Sequence, residues 1–157
     1  MNNEFLEARI NLLSQFYKSG NVVLSTSHND FVTSRTVTVI PFNNALYFTS
    51  IKRPGSVKME QIEKNSNVAI CVNSIQITGV ASILGLVSDD ENAEVIAKYK
   101  EKLPESYERF AVVPSCMLIK IDLRASKSWK VVNKNIETTT IDFVNETITN
   151  NIISSKT

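Results

Sequence analysis

Two cations and a scatter of hydroxyls supply the most informative chemistry in this 157-residue chain. In the run Ser34-Arg35-Thr36-Val37-Thr38-Val39-Ile40, strand alternation puts Arg35 on the same side as Val37 and Val39. A guanidinium on an apolar face is costly to desolvate without an anion. Arg35 therefore either reaches solvent near a strand end or meets an anionic group. The other side carries Ser34, Thr36 and Thr38. Thr49 and Ser50 end a later strand-like run, and Ser56-Val57-Lys58 begins a helix-like one. A helix start presents free N–H groups and the positive end of a dipole, which suits phosphate. Lys58 adds a full charge there and Ser56 a donor. Arg35, Lys58 and the surrounding hydroxyls have the make-up of a phosphomonoester clamp, because charge-assisted contacts are the strong ones. They also have an ordinary reading, in which Ser56 is only a helix cap and Lys58 a solvated surface residue.

The elements that must position these residues are short. Apolar spacing predicts a helix over residues 5–17, with Gly20 as a stop. Strands are expected over 22–27, 31–40 and 45–50, separated by the turns His28-Asn29-Asp30 and Asn43-Asn44, with Pro41 closing the second. Pro54-Gly55 breaks the pattern, and a short helix follows with Ser56 as N-cap and Met59 and Ile62 inward. Strands return over 68–72 and 75–87, the latter bent or bulged at Gly79 and Gly85. Asp89 opens a second helix to about Lys102, Pro104 ends it, and a short helical piece spans 107–110. Residues 116–123, 127–132 and 136–143 read as three closing strands. Residues 1–146 form one domain, and 147–157 a polar C-terminal tail that frays. Short strands joined mostly by tight turns are antiparallel, and a barrel is the economical way to remove their edges.

Composition narrows the function classes. A net charge of +1, with basic residues scattered, argues against a nucleic-acid footprint. No apolar run approaches the roughly 20 residues of a membrane helix. The amino terminus lacks the pattern of a secretory signal, so the cytoplasm is the expected compartment. Cys71 and Cys116 sit in apolar strand-like runs and read as core thiols. Neither a dinucleotide fingerprint nor a P-loop occurs. His28 is the only histidine and falls in a polar turn, which leaves hydrolytic triads and zinc without their usual machinery.

The ordered series Arg35 to Val39, Leu46-Tyr47-Phe48-Thr49-Ser50, Gly55-Ser56-Val57-Lys58, Asn65 to Val72 and Ile77-Thr78-Gly79-Val80-Ala81 resembles the pyridoxamine 5′-phosphate oxidase-like FMN-binding split barrels. The resemblance covers about residues 20–87, more weakly through the closing strands. It implies a mainly β fold with peripheral helices, an antiparallel split β-barrel of the FMN-binding type. It implies that Arg35, Lys58 and Ser56 hold the FMN phosphate, with Val57 at the helix start. Backbone groups of Thr36, Val37, Thr38 and Val39 would line the isoalloxazine edge, and Phe48, Thr49 and Ser50 would meet the ribityl chain or phosphate. It further implies a homodimer with flavin at the interface, to which Ser74, Gln76 and Trp129 contribute, although a lone tryptophan in a closing strand is more often simply a core residue.

Departures from the family pattern bear on activity. Ile40 stands where the vitamin oxidase has a lysine, and Tyr107, Ala111 and Ser115 lack the arginine of its Tyr-Arg-Ser substrate-phosphate set. The likeness is closer to the general-stress and nitroimidazole-reductase-like branch. The expected function is an FMN-dependent oxidoreductase acting on a small molecule, with NAD(P)H a candidate donor. The alternatives are a non-catalytic flavin-binding or sensor protein, or a split barrel using haem or a deazaflavin.

Overall fold

A computed structural model describes residues 2–18 and 20–154. Helix α1 (Asn3–Lys18) begins where the Asn2 side chain accepts from the Glu4 N–H, and buries Phe5, Leu12 and Phe16. Nine antiparallel strands follow: β1 (Asn21–His28), β2 (Phe31–Thr38), β3 (Ile40–Phe42), β4 (Ala45–Ile51), β5 (Asn67–Val72), β6 (Ile75–Leu86), β7 (Cys116–Val132), β8 (Asn135–Asp142) and β9 (Thr147–Ser154). Helix α2 (Val57–Lys64) lies between β4 and β5. Between β6 and β7 runs a helical lobe: a 3-10 turn (Asp90–Asn92), α3 (Ala93–Lys102), the single turn α4 (Pro104–Ser106) and a wide π turn (Tyr107–Ala111). None of these helices is long and apolar enough to cross a membrane.

Tight turns follow from residue type. Asn29-Asp30, Asn43-Asn44 and Asn133-Lys134 each join two strands as two-residue loops with positive φ at both positions. That is the twist hairpins require, and Asn and Asp tolerate it best after Gly. The strand order is β2-β1-β5-β6-β7-β4-β3, with β8 and β9 beyond β7. Val37 of β2 and Phe48 of β4, from opposite ends of that path, share one core with Phe5, Leu24, Ile70, Ile77, Ile119 and Ile121. The sheet is therefore curled around α1 as a split barrel. A second core, including Ile40, Tyr47, Ile96, Tyr99 and Leu118, seats the helical lobe against β3, β4 and β7.

Several expectations need correction. The strand expected over 31–40 is interrupted at Val39, whose N–H bonds the Gly20 carbonyl at 2.8 Å, and Pro41 lies inside β3 instead of ending a strand. Residues 116–132 form one strand of 17 residues where two were expected. It pairs with β4 through its first part and with β8 through its last, while β6 runs along its other side, so no break is needed. The expected frayed tail from Thr147 is instead β9, paired with β8 from Asp142↔Thr147 to Asn135↔Ser154; residues 155–157 lie outside the described residues. Pro104 opens α4 rather than merely ending α3. Cys71 is exposed on the outer sheet face, and only Cys116 is a core thiol.

Gly79 and Gly85 mark register shifts in the β6–β7 pairing, as expected. A Cβ at Gly79 would stand 2.7 Å from Ile121 Cγ2 and 2.8 Å from the Asp122 carbonyl oxygen. Gly79→Ala is expected to cost about 1–3 kcal/mol, since a packed strand pair has nowhere to move. Urea denaturation measures this as a lower midpoint at unchanged slope.

Candidate functional site

Helix α2 starts where Pro54 and Gly55 (φ +78°) turn the chain after β4. Its inner face buries Met59, Gln61 and Ile62, which fixes the direction of Lys58. Ser56 occupies the N-cap position, yet its side chain makes no cap hydrogen bond, and its hydroxyl is left to the surface it lines.

That surface is a cleft of about 460 Å³ lined by Thr36, Val37, Thr38, Thr49, Ser50, Ile51, Arg53, Ser56, Lys58, Tyr99, Ser106, Phe110 and Cys116. Its volume falls in the range of small-ligand pockets, about 300–1,000 Å³. Seven hydroxyls and two cations face it. Lys58 Nζ lies 5.6 Å from the centre of the buried Phe48 ring and forms no ion pair among the described residues. Burial first, and the Arg35 charge second, hold its pKa below the usual lysine value. Arg53 is exposed and equally without an acidic partner, whereas its neighbour Lys52 is paired with Glu63. Burial pushes the Cys116 thiol up in pKa, against the pull of the Thr49 hydroxyl and the Lys58 charge.

Arg35 is near enough to bear on Lys58, but its hydrogen bonds run elsewhere. Nη1 donates to the Leu24 carbonyl (3.2 Å) and Thr26 Oγ1 (2.7 Å), and Nη2 donates to Thr33 Oγ1. Thr26 and Thr33 in turn donate to Gln61 Oε1 at 2.6 and 2.7 Å. The guanidinium thus ties β1 and β2 to α2, and it does not line the cleft.

The residues singled out from the sequence fall into separate groups. Thr36, Val37, Thr38, Thr49, Ser50, Ser56 and Lys58 share the cleft. Val39 and Phe48 are core side chains, and Val57 faces a groove of about 210 Å³ beside His28 and Phe31. Ser74 lies in the Asn73-Ser74 turn rather than on the strand before Gly79. Gln76 and Trp129 line a different groove, with Lys127, Ile136 and Thr138. Besides Ile51 at the end of β4, the sequence reading missed Arg53, Tyr99, Ser106, Phe110 and Cys116. Only Arg53 carried a local sign, a base next to Pro54-Gly55 at a helix start; the others come from the lobe and β7 and are brought in by tertiary packing.

No protein-family model matches the chain, and no curated protein sequence is significantly similar to it. Solved structures are similar. A pyridoxamine 5′-phosphate oxidase-related FMN-binding protein from Nostoc punctiforme superposes with a TM-score of 0.61 at 17% identity, covering 94% of this chain and 96% of that one. A pyridoxamine 5′-phosphate oxidase-like protein from Listeria innocua gives 0.57 at 22% identity, over 76% and 95%. The heme storage protein HutZ from Vibrio cholerae gives 0.60 at 13% identity, over 73% and 89%. The chain therefore has the split-barrel fold of the pyridoxamine 5′-phosphate oxidase-like proteins, the fold that the series from Arg35 to Ala81 anticipates.

Proposed function

We propose that this chain belongs to the pyridoxamine 5′-phosphate oxidase-like family, binds FMN in the cleft between β4, α2 and the helical lobe, and serves as a flavin-dependent oxidoreductase acting on a small molecule. One observation carries the reading: a half-buried lysine without an acidic partner beside an uncapped serine at a helix start, in a cleft lined by hydroxyls. A cation held below its usual pKa by burial is completed by an anion, and a helix start supplies further donors to a phosphate. Arg53 adds a second free cation at the rim, and Arg35 adds charge from behind. Thr36, Thr38, Thr49 and Ser50 suit a polyhydroxylated chain, and the backbone of Thr36 to Val39 a ring edge. Bound FMN would supply two-electron transfer between a reduced donor such as NAD(P)H and an acceptor. This chain's residues bind and orient it; none in the cleft stands out as an acid or base. Homodimerisation would bring Ser74, Gln76 and Trp129 of one copy towards the cleft of another.

Haem chemistry has less support, because His28 lies in its own small groove with Phe31 and Lys64 and not in the cleft. Titrating the pure chain with FMN, riboflavin, haem and a deazaflavin tests the reading. FMN is expected to bind most tightly, with riboflavin weaker by the lost phosphate contacts. Preference for haem or the deazaflavin would overturn it. Bound flavin that no nicotinamide reduces and no acceptor reoxidises would leave a flavin-binding protein rather than an enzyme.

A further inference from the structure

Tyr99 of α3 has its ring in the second core and is 2% exposed. Phenylalanine would fill the same space, so the phenol oxygen calls for a separate reason. It lies where the ring emerges at the cleft, between two other hydroxyls: Thr49 Oγ1 donates to it at 3.3 Å, and it shares a 2.8 Å hydrogen bond with Ser106 Oγ. All three residues line the cleft. A buried tyrosine usually finds one partner to satisfy its hydroxyl. Here both partners are side chains on the wall of a cavity, from β4 on one side and α4 on the other.

Proton counting gives this chain a direction. Three hydroxyls bring three protons, and two contacts use two of them. With Thr49 donating to Tyr99, one O–H of the Tyr99–Ser106 pair is left over. Thr49 also meets Cys116, whose thiol feels the Lys58 charge. The row of hydroxyls, Cys116 and Lys58 all line the one cleft. Ser106, half-buried, is the last residue before the π turn, a rare form that recurs at functional sites.

We infer that Tyr99 and Ser106 form, with Thr49, a third arm of the phosphate cradle, directing their one spare hydroxyl proton to a phosphate oxygen of the ligand held by Lys58. This rests on the FMN reading of the cleft. It assigns ligand recognition to the helical lobe, outside the stretch that carries the family resemblance.

The test is titration of the full chain, as wild type, Tyr99→Phe and Ser106→Ala, with FMN and with riboflavin, alongside thermal melting without ligand. A lost hydrogen bond to a charged group is expected to weaken FMN by about tenfold or more in each variant. Riboflavin affinity and the ligand-free melting temperature should stay near those of the wild type. Wild-type protein that does not bind FMN overturns the flavin reading and this inference together. Wild type that binds FMN while both variants bind it as tightly overturns the inference alone. Equal losses for FMN and riboflavin also overturn it, since the chain would then serve the fold or another part of the flavin. Ser106→Ala, at a half-buried site, keeps the test decisive if Tyr99→Phe folds poorly.

Discussion

Replacing Lys58 by methionine is expected to abolish most of the preference for FMN over riboflavin while making the ligand-free protein more stable. Truncating one member of a desolvated charge pair typically costs about 2–5 kcal/mol, so FMN should weaken roughly 30-fold or more. Riboflavin, without the phosphate, should change little. The stability effect has the opposite sign. Burial and the Arg35 charge hold the Lys58 pKa in the folded protein below its unfolded value. The ammonium is therefore less favourable folded than unfolded, and that penalty is fully present below the folded pKa. It is relieved as pH rises from the folded towards the unfolded value. Lys58→Met removes the penalty at neutral pH, and each ~1 kcal/mol so recovered raises the melting temperature of a domain this size by roughly 2–4 °C. The wild type should gain stability across that alkaline window, and the variant should not. FMN binding should weaken as pH passes above the free-state pKa, and riboflavin binding should not follow it. A variant that loses both ligands equally, or that melts lower, contradicts this account.

Arg35→Met is expected to act chiefly on folding. Its guanidinium satisfies the Leu24 carbonyl and the hydroxyls of Thr26 and Thr33. Leu24 is 0% and Thr26 1% exposed, so two of the three acceptors that lose their donor are sealed from water. Charge-assisted hydrogen bonds contribute about 1.5–3 kcal/mol each, and a loss of roughly 2–3 kcal/mol is expected overall. A lower urea midpoint at unchanged slope measures it. FMN preference should fall less than with Lys58→Met, because Arg35 reaches the cleft as charge and not through its bonded edge. The reverse pattern, an intact fold with FMN preference fully lost, would mean that the guanidinium grips the phosphate directly.

Much of the fold can be read from local rules. Asn and Asp pairs set the hairpins, Pro54-Gly55 the start of α2, and the glycines of β6 its irregularities. The cation pair was legible too, as a guanidinium on an apolar strand face and a lysine at a helix start. What local rules miss depends on distant partners. The stretch Arg124 to Ser126 reads as a break, yet it stays extended because β6 and β8 flank β7 there on both sides. Thr147-Ile148-Thr149-Asn150-Asn151 reads as a tail because its hydrogen bonds belong to β8, which precedes it by a turn. Arg35's own bonds were hidden because Thr26 and Gln61, 9 and 35 residues apart from Arg35 and Thr26 respectively, meet only in the fold. Tyr99 and Ser106 gave no sign for the same reason: a helical tyrosine looks like core until β4 is laid beside it.

The unbroken length of β7 sets a distance scale. Cys116, at one end, floors the cleft, while Trp129, near the other, walls a separate groove. At ~3.3 Å per residue the backbone path between them is on the order of 40 Å along the curved strand. The single indole thus sits near the opposite end of β7 from the cleft, in a groove that shares no lining residue with it. On the dimer reading proposed above, a flavin stacked on it would belong to a neighbouring copy, and this strand would serve as a strut between sites.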